Sequence, residues 1–354
     1  MENKKTISNK KPINISEEKR PKNPFFSKLM FWGLFLLIGL TMGFFIGNLS
    51  KNKAQKEKVQ DAEEYSEMRA GGYEFTNPLL DCDNYRASSS RNLVDLKNSL
   101  DEYIQDALED DKAKHISVYY RSLNNGPWVG INEHYNYTPA SLLKVPIMIA
   151  VYKKAEKDTN FLKQKILFDK ILEVSTNPNL VDNKSLQIGS TYTIEELIEY
   201  MIIHSDNNAK EILMGLIGGD YLMDVMIDCG VNLKNRDLTI DFISIKEYSS
   251  FFRILYNASY LDREMSEKAL KLLSNVTFDK GLPAKLPKDI KIAHKFGERA
   301  FTYSNLKQLH DCGIVYIPNS PYLLCVMTKG DDFNKLVSII ADISEMVYNE
   351  TNTK

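Results

Sequence analysis

Twenty consecutive uncharged residues, MFWGLFLLIGLTMGFFIGNL from Met30 to Leu49, constrain this chain more than any other feature. As a helix rising about 1.5 Å per residue, the run reaches across roughly 30 Å of hydrocarbon. A cleaved signal peptide is the competing reading, but its apolar core normally covers only about 7–15 residues and ends at a small-x-small site. Here the run is longer, and Lys51-Asn52-Lys53 follows it. Residues 29–49 are therefore expected to form an uncleaved transmembrane helix. Residues 1–28 carry Lys4, Lys5, Lys10, Lys11, Lys19, Arg20, Lys22 and Lys28 against Glu2, Glu17 and Glu18. With little that could build a core, they read as a disordered basic tail. The heavier positive charge on this side favours a cytoplasmic N-terminus and an exported remainder, a single-pass protein of the cell membrane. Lys51, Lys53, Lys56 and Lys58 oppose that orientation. Gly39, Gly43 and Gly47 form a small-residue face on which two such helices could meet as a homodimer, although glycine is common in membrane helices generally.

The whole chain of 354 residues is 43% hydrophobic and 26% charged, with net charge −2, an ordinary globular balance that lends no support to nucleic-acid binding. The cysteines are Cys82, Cys229, Cys312 and Cys325. The lack of a Cys-x-x-Cys pair argues against a zinc site, and no metal or cofactor is expected. Export permits disulfides; buried free thiols fit the sequence equally well.

Residues 50–76 read as a polar linker ending in Ala70-Gly71-Gly72, with a globular domain over residues 77–350. Leu93, Leu96, Leu100, Tyr103, Ile104 and Ala107 fall at helical spacing and predict an amphipathic helix over about 91–109. His115 to Arg121 is strand-like, and Asn124-Asn125-Gly126-Pro127 turns it into a return strand at Trp128 to Ile131. Helical patterns dominate from Ser141 to about Asn275. Thr193 and Glu196 form a capping box for a helix ending near His204, and another helix runs from about Asn208 to Leu216. Strand character returns at Ile290 to Phe296, Gly313 to Ile317 and Tyr322 to Thr328, the last two joined by Pro318-Asn319-Ser320-Pro321. A final amphipathic helix uses Phe333, Leu336, Ile339, Ile340, Ile343, Met346 and Val347. The expected fold is α+β: one antiparallel sheet shared by both ends of the domain, with an all-helical subdomain inserted between them.

Ser141 and Lys144 stand in an otherwise apolar segment, YTPASLLKVPIMIA. Residues three apart share a helix face, and a partly desolvated lysine there could take the proton of the serine hydroxyl. The spacing alone decides nothing, since Ser8, Ser16, Ser50 and Ser304 also precede a lysine by three. Ser205-Asp206-Asn207 falls between two helices, where a capping turn is the ordinary explanation. His294-Lys295-Phe296-Gly297 lies near the end of a strand, where a lone lysine is usually an edge feature.

Taken in order, these three clusters resemble the active-site serine hydrolases that include class A β-lactamases and penicillin-binding proteins, with their Ser-x-x-Lys, Ser-Asp-Asn and Lys-Thr-Gly signature. The likeness extends through Thr138 to Pro146, Ser205 to Ala209 with Gly218-Gly219, Gly281-Leu282-Pro283, and the hairpin around Pro321, about residues 77–348 in all. It implies a five-stranded antiparallel sheet flanked by terminal helices plus a helical subdomain. It further implies Ser141 as nucleophile, Lys144 as general base and Ser205 as proton donor to the departing nitrogen. Asn207, Lys295, Gly297 and Glu298 would bind substrate: Asn207 through its side-chain amide, Lys295 as positive charge near a substrate carboxylate and as a brake on protonation of Lys144. The backbone N–H groups of Ser141 and Glu298 would hold the oxyanion.

The chain departs from that family in two places. Phe296 stands where the family usually has a threonine that contacts the substrate carboxylate, and Glu298 adds negative charge beside it. Between Val231 and Asp241 no Glu-x-x-x-Asn supplies a water-activating glutamate; Asp237 and Asp241 are the carboxylates there. Three readings follow. The first is a membrane-anchored acyl-transfer enzyme acting on β-lactams or D-Ala-D-Ala-like peptidoglycan stem peptides, with slow deacylation. The second is a true β-lactamase using an aspartate as deacylation base. The third is a catalytically weak protein that binds cell wall or a partner.

Overall fold

The computed structural model describes residues 68–81, 91–124, 126–158, 160–172, 180 and 184–352. The expected tail, membrane span and Gly39/Gly43/Gly47 face lie outside the described residues. Among the described residues no helix is long and apolar enough to cross a membrane.

Helix α1 (Arg91–Glu109) buries Leu96, Leu100, Ile104 and Ala107, the stripe its spacing implies. A sheet of five strands follows the expected order of segments: β1 (His115–Ser122), β2 (Trp128–Ile131), β3 (Lys291–Ala300), β4 (Lys307–Tyr316) and β5 (Tyr322–Gly330). Across the sheet the order is β2-β1-β5-β4-β3, every neighbour antiparallel. Side chains alternate across a strand, and the sheet divides the core accordingly. Val118, Tyr120, Leu324 and Val326 face α1 and the last helix, α8 (Phe333–Asn352). Tyr119, Leu323, Cys325 and Met327 face the helical insertion. Tyr103 donates to Asp342 at 2.6 Å and ties α1 to α8.

Inside the insertion, α2 (Lys144–Ala155) is buried almost all round, as its apolar run Val145 to Tyr152 requires. Around it pack α3 (Ile194–Ile203), α4 (Asn207–Ile217), α5 (Gly219–Asp228), α6 (Ile245–Asn257) and α7 (Arg263–Leu273). The capping box at Thr193 and Glu196 starts α3, and a second, Ser244 with Glu247, starts α6. Asp206 and Asp262 cap α4 and α7.

Two expectations change and one open alternative is resolved. Strand β4 begins at Lys307 and not near Gly313, because Gln308, His310 and Asp311 are polar yet fully buried. Residues 68–76, placed in the linker, already pack on the domain: Phe75 is buried, and Glu267 accepts the backbone N–H groups of Glu74, Phe75 and Thr76. The cysteines divide, with Cys312 and Cys325 directly opposite on β4 and β5 as a disulfide and Cys229 a buried free thiol. Burial pushes the Cys229 thiol up to about 12, far from reactive thiolate.

Candidate active site

The chain leaves α3 at Ile203, turns left-handed at Ser205 (φ 55°) and enters α4 at Asn207. Non-glycine residues seldom adopt this conformation, and those that do gather at functional sites. The turn points both oxygens of Ser205 at Lys144. Its carbonyl accepts from Lys144 Nζ at 2.5 Å and its hydroxyl at 3.0 Å, while Asn207 Oδ1 accepts from the same nitrogen at 2.7 Å. Lysine has only donors, so the amide of Asn207 must present oxygen to Lys144 and keep its NH₂ for another acceptor.

Ser141 sits in a 3₁₀ turn, Ala140–Leu143, and not on the helix with Lys144; Lys144 is the first residue of α2. Ala140, just before it, has φ 49°. This turn is clamped on both sides. Thr138 donates its N–H to Gln308 Oε1 at 3.1 Å and its hydroxyl to Asp241 Oδ1 at 2.7 Å. His310 Nε2 donates to the carbonyl of Thr138 at 3.1 Å, and its Nδ1 accepts from the N–H of Thr328 at 3.3 Å. That pattern fits a neutral imidazole; burial pulls its pKa down to about 4. Beyond the serine, Tyr248 donates to the carbonyl of Leu142 at 2.9 Å.

Strand β3 is an edge of the sheet, and its free side lies against the nucleophile turn. A Cβ on Gly297 would stand 2.8 Å from the carbonyl oxygen of Pro139 and 3.0 Å from the nitrogen of Leu142, so only glycine permits the approach. Lys295 Nζ donates to Ser205 Oγ at 3.1 Å and to the carbonyl of Phe296 at 3.3 Å. Lys295 is fully buried, and burial lowers its pKa to about 7 against the opposing charges of Asp311 and Glu298. The register of β3 is fixed from behind: His294 Nδ1 meets Asp311 Oδ1 at 2.9 Å, and Asp311 Oδ2 accepts from the N–H of Leu282 at 2.9 Å.

The two departures from the family pattern behave differently. Phe296 is 2% exposed, stacked on Phe278 with ring centroids 4.2 Å apart, and its ring centroid lies 4.2 Å from Lys295 Nζ, so it sets a buried π-face against the cleft lysine where the family has a hydroxyl. Glu298 keeps its carboxylate buried beside the site. Its Oε1 accepts from the N–H of Leu180 at 3.3 Å, and its Oε2 has no hydrogen-bond partner among the described residues. Burial raises its pKa to about 7, opposed by that N–H and by Lys295, Lys144 and Lys280.

The structure therefore brings Lys144, Ser205, Asn207 and Lys295 into direct contact, and seats Gly297 against the turn that carries Ser141. Support of that turn by Thr138, Gln308 and His310 is not part of the expected site, and Asp241, expected as a base or more often as a helix-cap or surface-turn residue, is one of its anchors. The available signal was a polar i, i+2 pair, Gln308 and His310, just ahead of the apolar run Cys312 to Val315. Asp237 is exposed and bonded to Thr239, whereas Asp241 is held by Thr138, Gln308 and Lys329. Among the described residues no group of three or more His, Cys, Asp or Glu side chains could hold a metal ion.

An antiparallel sheet with a helical insertion and a serine–lysine–serine–lysine cleft defines a serine acyl hydrolase of the β-lactamase and penicillin-binding-protein type. Residues 99–351 match the model of the beta-lactamase enzyme family, and the chain belongs to that family. It is 28% identical to a β-lactamase of Bacteroides uniformis over 253 residues, covering 64% of this chain and 82% of the relative. It is 23% identical to β-lactamase VEB-1 of Pseudomonas aeruginosa over 261 residues, covering 67% and 86%. Among solved structures, a mutant of PBP-A in an acyl-enzyme complex with penicillin G superposes with TM-score 0.61 at 22% identity, covering 74% of this chain and 98% of the other.

Proposed function

We propose that this chain is a membrane-anchored serine hydrolase that forms an acyl-enzyme at Ser141 with β-lactams or D-Ala-D-Ala-like cell-wall peptides and releases it slowly. The observation that carries the reading is the meeting of two buried ammonium groups on one hydroxyl: Lys144 and Lys295 both donate to Ser205 Oγ. A hydroxyl has two acceptor lone pairs and one proton. With both lone pairs taken by lysines, the proton of Ser205 is left to point away from them, toward a departing nitrogen.

The three acceptors around Lys144 Nζ describe its protonated form; for acylation Lys144 first gives up one proton to solvent, and the Ser141 oxygen then bonds to the substrate carbonyl carbon as its own proton passes to the lysine amine. As the carbon–nitrogen bond breaks, Ser205 gives its proton to the leaving nitrogen and takes one from Lys144. The NH₂ of Asn207 donates to a substrate carbonyl. The N–H groups of Ser141 and Glu298 stabilise the oxyanion, a contribution of about 10²–10³ in rate per donor. Slow release follows from the bonds of Asp241: with three donors on its carboxylate it is poorly placed to activate water. That weighs against the reading as a true β-lactamase.

Intact-mass analysis after exposure to benzylpenicillin tests the reading. The wild type should gain one adduct that persists for minutes, and Ser141→Ala should gain none. Label on Ser141→Ala would remove the nucleophile assignment. No adduct on wild type would leave the cleft as a binding site for cell wall or a partner, the reading that Phe296 and Glu298 favour. Anchoring through residues 30–49, with the domain outside the cell, is tested by terminal sequencing of the membrane-bound protein. A mature N-terminus after Asn48 would refute it.

A further inference from the structure

Side chains two apart on a strand share a face, so Glu298 lies on the same side of β3 as Phe296. Position 296 is where the family resemblance puts a hydroxyl for the substrate carboxylate. Here that side chain is a buried ring against Lys295 with no hydrogen-bonding atom, and the next one along the face is itself a carboxylate. Three cations act on it, Lys144, Lys280 and Lys295, and two of these belong to the catalytic cleft. Glu298 is about nine-tenths buried, yet among the described residues Oε2 has no donor and Oε1 has only the 3.3 Å contact from Leu180. A buried carboxylate oxygen left without a donor costs stability, and such groups in a folded protein call for an explanation.

We infer that the Glu298 side chain sets the specificity of this cleft: it occupies the place of a substrate carboxylate beside Lys295, so that acyl donors carrying an ester or amide there react with Ser141 in preference to donors carrying a free carboxylate. The inference deepens the acyl-transfer reading and rests on it. A free carboxylate brought to the same cations meets a like charge at short range, and two carboxylates sharing one site do not both ionise readily. An ester avoids the repulsion. A primary amide avoids it and also offers an N–H to the unpartnered Oε2. At low pH a proton on Glu298 lifts the exclusion.

The test compares acylation by benzylpenicillin with acylation by its methyl ester, in wild type and Glu298→Gln, from about pH 5.5 to about 8.5. The expected result is an ester-to-acid rate ratio roughly tenfold or more higher in wild type than in Glu298→Gln at the alkaline end. In wild type that ratio should climb as pH rises through about 7, where Glu298 loses its proton. Lys295 loses charge over the same range and disfavours the acid in both proteins, so the difference between them isolates Glu298. Equal ratios in the two proteins, with adduct formed in both, overturn the inference and leave the acyl-transfer reading standing. No adduct with either compound in either protein overturns both. If Glu298→Gln does not fold, Glu298→Ala and the wild-type ratio decide, and a wild-type ratio flat with pH counts against the proposal.

Discussion

Lys144 Nζ and Ser205 Oγ lie 3.0 Å apart in the helical subdomain, although their positions are 61 apart in sequence. The path by which a proton leaves Lys144 is thus already closed before any substrate arrives. Removing the hydroxyl with Ser205→Ala should slow acylation by about 10²–10⁴-fold, the usual share of general acid–base catalysis, without abolishing the adduct. Time-resolved intact-mass spectra with benzylpenicillin measure it. A rate indistinguishable from wild type would take Ser205 out of the proton path.

Phe296→Thr restores the family residue but opens a hole against Phe278. Loss of a buried aromatic ring typically costs about 3–5 kcal/mol, and the new hydroxyl needs a partner. The urea midpoint should fall substantially, and any change in acylation must be read on the folded fraction. An unchanged midpoint would mean the ring is not a packing element.

Gly297→Ala puts a methyl group 2.8 Å from the Pro139 carbonyl oxygen. The edge of β3 must then retreat from the nucleophile turn, and misplacement on the scale of 1 Å can cost about 10²-fold in rate. The expected signature is a large loss of acylation with a small loss of stability. Equal losses in both would indicate general unfolding.

Asp241→Asn weakens the ligand of Thr138, Gln308 and Lys329. The expected effect is a stability loss of about 1–3 kcal/mol with the lifetime of the penicillin adduct unaltered. An adduct that turns over in wild type and persists only in Asp241→Asn would instead make Asp241 the deacylation base.

His310 gives stability a defined acid limb. In the folded chain its pKa is pulled down to about 4 by burial, while an unfolded histidine protonates near 6.5. Between those values the unfolded state binds the extra proton, so stability is lost as pH falls from about 6.5 toward about 4. The loss is on the order of 2–3 kcal/mol. Glu298, whose pKa is raised, acts with the opposite sign between about 4.5 and 7, so the comparison must be with His310→Gln. Thermal midpoints of the two proteins that fall in parallel would refute the assignment.

How much of this could be read from the chain depended on whether neighbours in sequence carry the signal. Helix α1, the capping box of Thr193 and Glu196 and the hairpin around Pro318–Pro321 are local patterns, and each appears where expected. The first half of β4 is invisible because Gln308, His310 and Asp311 read as polar loop; their partners, Thr138 and His294, lie on other segments. Ser141, Lys144, Ser205, Asn207 and Lys295 were recognisable as short motifs. Their contacts are not encoded in spacing, nor is the fact that the Phe296 ring stacks between Phe278 and the Lys295 ammonium while Glu298 stays buried beside the site.

The pairing of β1 with β5 sets Val118 against Val326, near opposite ends of the domain. A chain emerging from the ribosome can build the β1–β2 hairpin and begin packing the helical insertion, but the sheet stays open until Gly330 has been made. Until then β1 presents an unpaired edge, the kind of surface that recruits foreign strands. Closing so long a loop also places the domain among slow folders. Fragments ending before β5 should therefore fail to fold as smaller domains and should depend on chaperones during synthesis, so the order in which the chain is delivered, as much as its final contacts, governs its yield.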